Sequence, residues 1–194
     1  MASPMTQFNF TYDPNVSLEQ RLGFEMAAAI WSKFLTDDVT LNLHIGATTG
    51  LNDNQAVGGA VPIFHEVNYG VYQQYLQQDA TSAQDAMVVD ALQEGNTVDF
   101  LIDTDGDPTT ASELVDGNTT IMITRAQAKA LGMEKALELN NGSTLNRDVL
   151  ADPTALDGYI VINNSYNWGY DLTRQAAAAP DTLDFLTMAL HEIG

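Results

Sequence analysis

A chain of 194 residues has the length of one domain, and a 45% share of hydrophobic residues is enough for a sizeable core. Its 26 acidic residues outnumber 7 basic ones, for a formal net charge of -19; no basic stripe exists to neutralise phosphates or dock on an anionic bilayer, so nucleic acid and anionic membrane surfaces are excluded as partners. The absence of cysteine excludes disulfides, thiol catalysis and thiolate zinc sites, and no apolar run is long enough to insert in a membrane.

Gln7 to Tyr12 alternates, with Phe8, Phe10 and Tyr12 on one face, and predicts a strand that Asp13-Pro14-Asn15 breaks. Ser17 is an N-cap with Gln20 at the capping-box position. Leu18, Leu22, Met26, Ala29, Ile30 and Phe34 then recur at helical spacing, a long helix whose apolar face packs on a core and which ends at Thr36-Asp37-Asp38. Val39, Leu41, Leu43 and Ile45 alternate as a second strand, Gly46 to Asn54 reads as a loop, and Ala60 to Phe64 is a third strand after Gly58-Gly59.

Helices are predicted over Tyr69 to Gln78 and Ser82 to Leu92, then a short alternation at Val98, Phe100 and Ile102. Thr119 to Thr124 is a β-branched strand, followed by a helix from Arg125 to Leu131 that Gly132 ends. Asn140-Asn141-Gly142 marks a turn, Tyr159 to Asn163 a strand, and Asn164 to Asp171 a polar, aromatic loop. Asp181 or Thr182 caps a last helix with Leu183, Leu186, Leu190 and Ile193 on its apolar face. The expected fold class is α+β, with residues 1–194 forming one unit: a twisted mixed sheet backed by the long first helix and closed by the last.

That last helix carries His191-Glu192-Ile193-Gly194. These fill the first four positions of His-Glu-x-x-His, in which two histidines one turn apart reach one zinc ion and the Glu acts as base toward water. The position of the second His lies immediately beyond Gly194. A glycine within a helix costs about 1 kcal/mol against alanine. Gly194 therefore predicts that another segment packs closely against it.

Ala189-Leu190-His191-Glu192-Ile193-Gly194 resembles the start of the extended metzincin motif. Further stretches resemble one bacterial group of secreted metallopeptidases: Ala29-Ile30-Trp31 through Val39-Thr40-Leu41, Asp79 to Ala83, Ile123 to Gly132, Asp157 to Asn163 and Leu183 to Leu186. The resemblance implies a zincin-like N-terminal subdomain, zinc as cofactor, His191 as a zinc ligand and Glu192 as the catalytic base and later proton donor. It implies a secreted protein whose signal has been removed and whose substrate is a peptide or protein. It places the other zinc ligands and the methionine turn beyond Gly194, so the expected chain is a truncated front part of the catalytic domain, inactive alone and completed by the missing C-terminal portion. In such folds an edge strand takes up the substrate by strand addition, and Thr120, Ile121 and Met122 are the candidates here.

Two other features carry metal chemistry. Asp103, Asp105 and Asp107 place hard carboxylates at alternate positions, a candidate calcium loop, although its glycine comes too early for an EF-hand and position twelve is Leu114. His44 and His65 are the remaining histidines, each read first as structural. With the net charge of -19, the acidic loop gives the alternative to a peptidase: a non-catalytic, calcium-responsive extracellular protein acting through self-association or assembly.

Overall fold

The computed structural model describes residues 5–51, 56–103, 106, 111–133, 154–171 and 181–194. The chain divides into two compact units, one of Met1–Ile63 with Asp152–Gly194 and one of Phe64–Ala151.

The first unit is built on a mixed sheet. Strand β1 (Gln7–Tyr12) lies parallel to β2 (Thr40–Thr48), with Phe8 opposite Leu41 and Tyr12 opposite Ile45. Beyond β2 lies a strand from the far end of the chain, Gly158–Asn163, also parallel, and the edge beyond it is β3 (Gly58–Pro62), antiparallel. Helix α1 (Leu18–Trp31) connects β1 to β2. Its capping box is formed as the sequence predicts: the Ser17 hydroxyl accepts from the Gln20 amide and the Gln20 carboxamide accepts from the Ser17 amide.

The second unit contains β4 (Phe64–Asn68), α2 (Tyr69–Asp79), α3 (Ala83–Asp90), β5 (Val98–Ile102), β6 (Glu113–Asn118), β7 (Thr120–Thr124) and α4 (Arg125–Ala130). Its strands form two separate antiparallel ribbons, β4 with β7 and β5 with β6. Val67, Ile123, Ala128 and Met133 make its small core. Returning to the first unit, β8 is the Gly158–Asn163 strand, β9 is Trp168–Gly169, β10 is Leu183–Asp184, and α5 is Phe185–Ile193. The fold is thus α+β with a mixed sheet and, among the described residues, five helices.

The main core lies between one face of the sheet and the two helices α1 and α5. Ile45, Ala47, Ile160 and Ile162 come from the sheet; Phe24, Ala27, Phe185, Leu186, Met188 and Ala189 come from the helices. Two buried polar residues lock the middle of the sheet. The Asp157 carboxylate accepts from the Asn42 amide at 2.6 Å, and the Asp157 amide donates to the Asn42 carbonyl at 2.7 Å.

Several boundaries and faces differ from the sequence reading. The face of α1 turned to the core carries Gln20, Gly23, Phe24, Ala27 and Ala28, whereas Leu18 and Leu22 are 79% and 51% exposed and Phe34, beyond the helix, is 72% exposed. The cause is the neighbour, α5: Gly23 leaves room for the Phe185 ring, and Phe24 packs edge-on against that ring. The second strand runs on through Gly46 to Thr48, because Gly46, Ala47 and Thr48 pair with Val161, Ile162 and Asn163 of the neighbouring strand. The expected strand Ala60 to Phe64 is divided at Ile63. Pro62, with no N–H, ends β3, and Phe64 begins β4. Strand β6 has no counterpart in the sequence reading, and the Asn140-Asn141-Gly142 turn lies outside the described residues.

The two faces of α1 give a direct test. Phe24→Ala should cost about 3–5 kcal/mol, while Leu22→Ser should change stability by less than about 0.5 kcal/mol. Urea unfolding of both variants measures this; the reverse order would place the core on the Leu18–Leu22 face.

Candidate active site

Helix α5 carries the two residues with chemistry, and its start is fixed from behind. Its N-cap is Asp184, not Asp181 or Thr182: the carboxylate accepts from the Thr187 amide at 2.9 Å. The helix begins later than expected because Leu183 and Asp184 first pair with Trp168 and Gly169. Phe185, fully buried, is surrounded by rings: Trp168 and Tyr170 at 5.3 Å and Phe24 at 5.7 Å, the first and last edge-on. The Trp168 indole donates to the Asn163 carbonyl at 3.0 Å. Two aromatics of the 164–171 loop, Trp168 and Tyr170, thus pack against the first turn of α5.

The last turn presents the motif. His191 is exposed and Glu192 is half-buried. The Glu192 carboxyl lies against the first residue of β3: a Cβ added at Gly58 would come within 3.3 Å of Glu192 Oε1, 3.3 Å of Met188 Sδ and 3.1 Å of the Val161 carbonyl. Only a glycine leaves that space. Burial pushes the Glu192 pKa above the usual carboxylate range, and the positive charge available to His191 offsets part of the rise. The expectation of a close packing partner for Gly194 is met by Trp31, whose ring occupies the space a Cβ would need.

His191 places one imidazole, a donor of the type zinc takes, at the surface, and the Glu192 carboxyl is on the next residue. This pair fits part of a zinc site of the His-Glu-x-x-His kind. Among the described residues no three His, Asp or Glu side chains gather to hold a metal ion, so further ligands would come from outside them.

The other candidates lie elsewhere. Thr120, Ile121 and Met122 stand in β7, paired with Asn68, Val67 and Glu66 of β4, and the Thr120 hydroxyl donates to Glu66 Oε1 at 2.6 Å. They do not belong to the sheet that carries α5, whose edge strand next to Glu192 is β3. The glycine pair Gly58-Gly59 was the sequence signal for that strand. Asp103 uses its carboxylate to close a turn, accepting from the Gly106 amide at 2.8 Å, and Asp105 and Asp107 lie outside the described residues. His44 bridges Thr11 at 2.8 Å and Asp13 at 3.2 Å on the sheet, and His65 is buried in the second unit.

No protein-family model, curated protein or solved structure matches the chain.

The raised Glu192 pKa has a signed consequence for stability. Below the unfolded pKa, near 4.3, the group is neutral in both states and contributes nothing. As pH rises through the folded value, the folded state must hold a desolvated carboxylate, and stability is lost. In metal-free protein, Glu192→Gln should therefore raise the thermal midpoint at pH 7 and leave it unchanged at pH 3.5. Calorimetry at the two pH values checks this; an equal gain at both would mean that ionisation is not the cause.

Proposed function

We propose that the chain is the front part of a zinc-dependent endopeptidase catalytic domain of the metzincin kind, with His191 as a zinc ligand and Glu192 as the catalytic base. The observation that carries this reading is the placement of the motif. His191 stands exposed at the end of α5, and the carboxyl beside it is half-buried against the edge strand β3. The terminal motif supports it, and the α+β order of elements with a mixed sheet and its edge strand is compatible with it.

A zinc ion held at His191 supplies Lewis acidity and brings the pKa of its bound water to near neutrality. Glu192 does the proton work. Its ionised carboxylate accepts a proton from the attacking water and returns it to the departing amine. Burial raises the pKa of Glu192, which makes its carboxylate a stronger base toward the attacking water than an exposed glutamate would be. The substrate, an extended peptide, would lie along β3 by strand addition. The glycines at positions 58 and 59 allow a backbone to approach there without side chains in the way. The acidic surface fits a secreted protein that stays dispersed outside the cell.

The full-length natural protein tests the reading. It should contain zinc and hydrolyse an unfolded protein substrate. Glu192→Gln should lower kcat/KM by about 10²–10⁴-fold, the usual contribution of a general base, and leave the zinc content unchanged. Absence of zinc in the purified protein, or full activity of the glutamine variant, would overturn it.

A further inference from the structure

Trp31 is the last residue of α1 and stands against the last turn of α5. Its indole N–H donates to the Leu190 carbonyl at 3.0 Å. That carbonyl also accepts the helical bond from the Gly194 amide at 3.2 Å. The residue that follows Leu190 is His191. One turn on along the same face, a Cβ at Gly194 would collide with Cζ2, Cε2 and Cη2 of the Trp31 ring. Trp31 is itself anchored, because its carbonyl accepts from the Phe34 and Leu35 amides at 2.8 and 3.0 Å.

An indole N–H removed from water needs a partner wherever it packs, and here the partner is the backbone of the turn that carries His191. Here a directed hydrogen bond and a steric stop act on one turn, immediately before and three residues after His191. Together they fix the rotation of that turn about the helix axis. We propose that Trp31 is a positioning residue that sets the direction in which α5 presents His191. The part of the proposal that concerns zinc rests on the peptidase reading above; the part that concerns the helix turn does not. Contacts that orient a metal ligand from behind typically change metal affinity by about 10–100-fold when removed.

The test uses the full-length protein and three variants: Trp31→Phe, Gly194→Ala and the two combined. Zinc affinity is read by competition with a chelator, the Gly194 amide by hydrogen exchange, and global stability by thermal unfolding. Trp31→Phe keeps a ring but loses the N–H. It should weaken zinc binding by about 10–100-fold and speed exchange at Gly194, while moving the thermal midpoint by only about 2–4 °C, the effect of one hydrogen bond. Gly194→Ala should weaken zinc binding at least as much. The combined variant should be no worse than Gly194→Ala alone, since phenylalanine lacks the outer ring atoms that the new methyl strikes.

Wild-type zinc affinity and wild-type exchange at Gly194 in Trp31→Phe would overturn the proposal. So would a uniform rise in exchange across the protein, which would mean that Trp31 supports the whole core rather than this turn. If the wild-type protein takes up no zinc, the peptidase reading fails, and exchange at Gly194 in Trp31→Phe still decides whether Trp31 positions the turn.

Discussion

The seam between α1 and α5 is the constraint on which the rest of the candidate site depends. Each helix brings a ring to a place where the other chain segment has no side chain. Phe185 of α5 lies over Gly23 of α1, where an added Cβ would sit 2.5 Å from its Cδ1; Trp31 of α1 lies over Gly194. The two pairs stand at opposite ends of the seam. Sliding the helices along one another would drive both rings into neighbouring side chains, which close-packed interiors do not absorb cheaply. The pairs therefore set both the separation and the axial register of the helices, and that register decides where His191 and Glu192 emerge.

The sheet supplies the second boundary. Ile45, Ala47, Ile160 and Ile162 form the surface on which Met188 and Ala189 rest. The edge strand β3 then meets the Glu192 carboxyl of α5 at Gly58. Glu192 is thus held by a helix fixed from one side and a strand fixed from the other. Moving either by a fraction of an ångström would expose the carboxyl or expel it. The energetic consequence is unfavourable for folding, since a desolvated carboxylate opposes the folded state at neutral pH. Such a group is retained where the local environment serves something other than stability.

Much of this was legible in the sequence. The alternation of Phe8, Phe10 and Tyr12 marked β1 with its observed limits, and Ser17 with Gln20 marked the start of α1. The helix that carries His191 and Glu192 was also read from its apolar spacing. The phase of α1 was not legible. The sequence reading put Leu18, Leu22, Met26, Ala29, Ile30 and Phe34 on the packed face; Met26 and Ile30 do pack against the core, but the buried residues are Gln20, Gly23, Phe24, Ala27 and Ala28. Hydrophobicity favours the first set, while the partner helix selects the second, and the partner is more than 150 residues away in the chain. The third strand was read as Ala60 to Phe64 after Gly58-Gly59, but its place at the sheet edge was not legible, for the same reason. Periodicity reports that Gly58–Pro62 is extended, but its neighbour is β8, and no local signal names that neighbour. The cap of α5 was misplaced because Leu183 and Asp184 are held by pairing with Trp168 and Gly169 before the helix can begin.

The adjacent residues His191 and Glu192 differ in exposure because successive helical positions lie about 100° apart, and only one of the two faces β3. That difference couples metal and proton. Burial favours the neutral carboxyl of Glu192, and a nearby positive charge favours the ionised one. A divalent cation at His191 would be a stronger positive charge than the imidazolium it replaces, and would tip the balance toward the carboxylate. By linkage, an ionised Glu192 must in turn favour the cation. The net charge of -19 acts in the same direction, because it raises the concentration of cations near the surface where His191 is exposed. A half-buried carboxyl next to an exposed imidazole is therefore an arrangement in which a cation bound at His191 and an ionised Glu192 would favour one another.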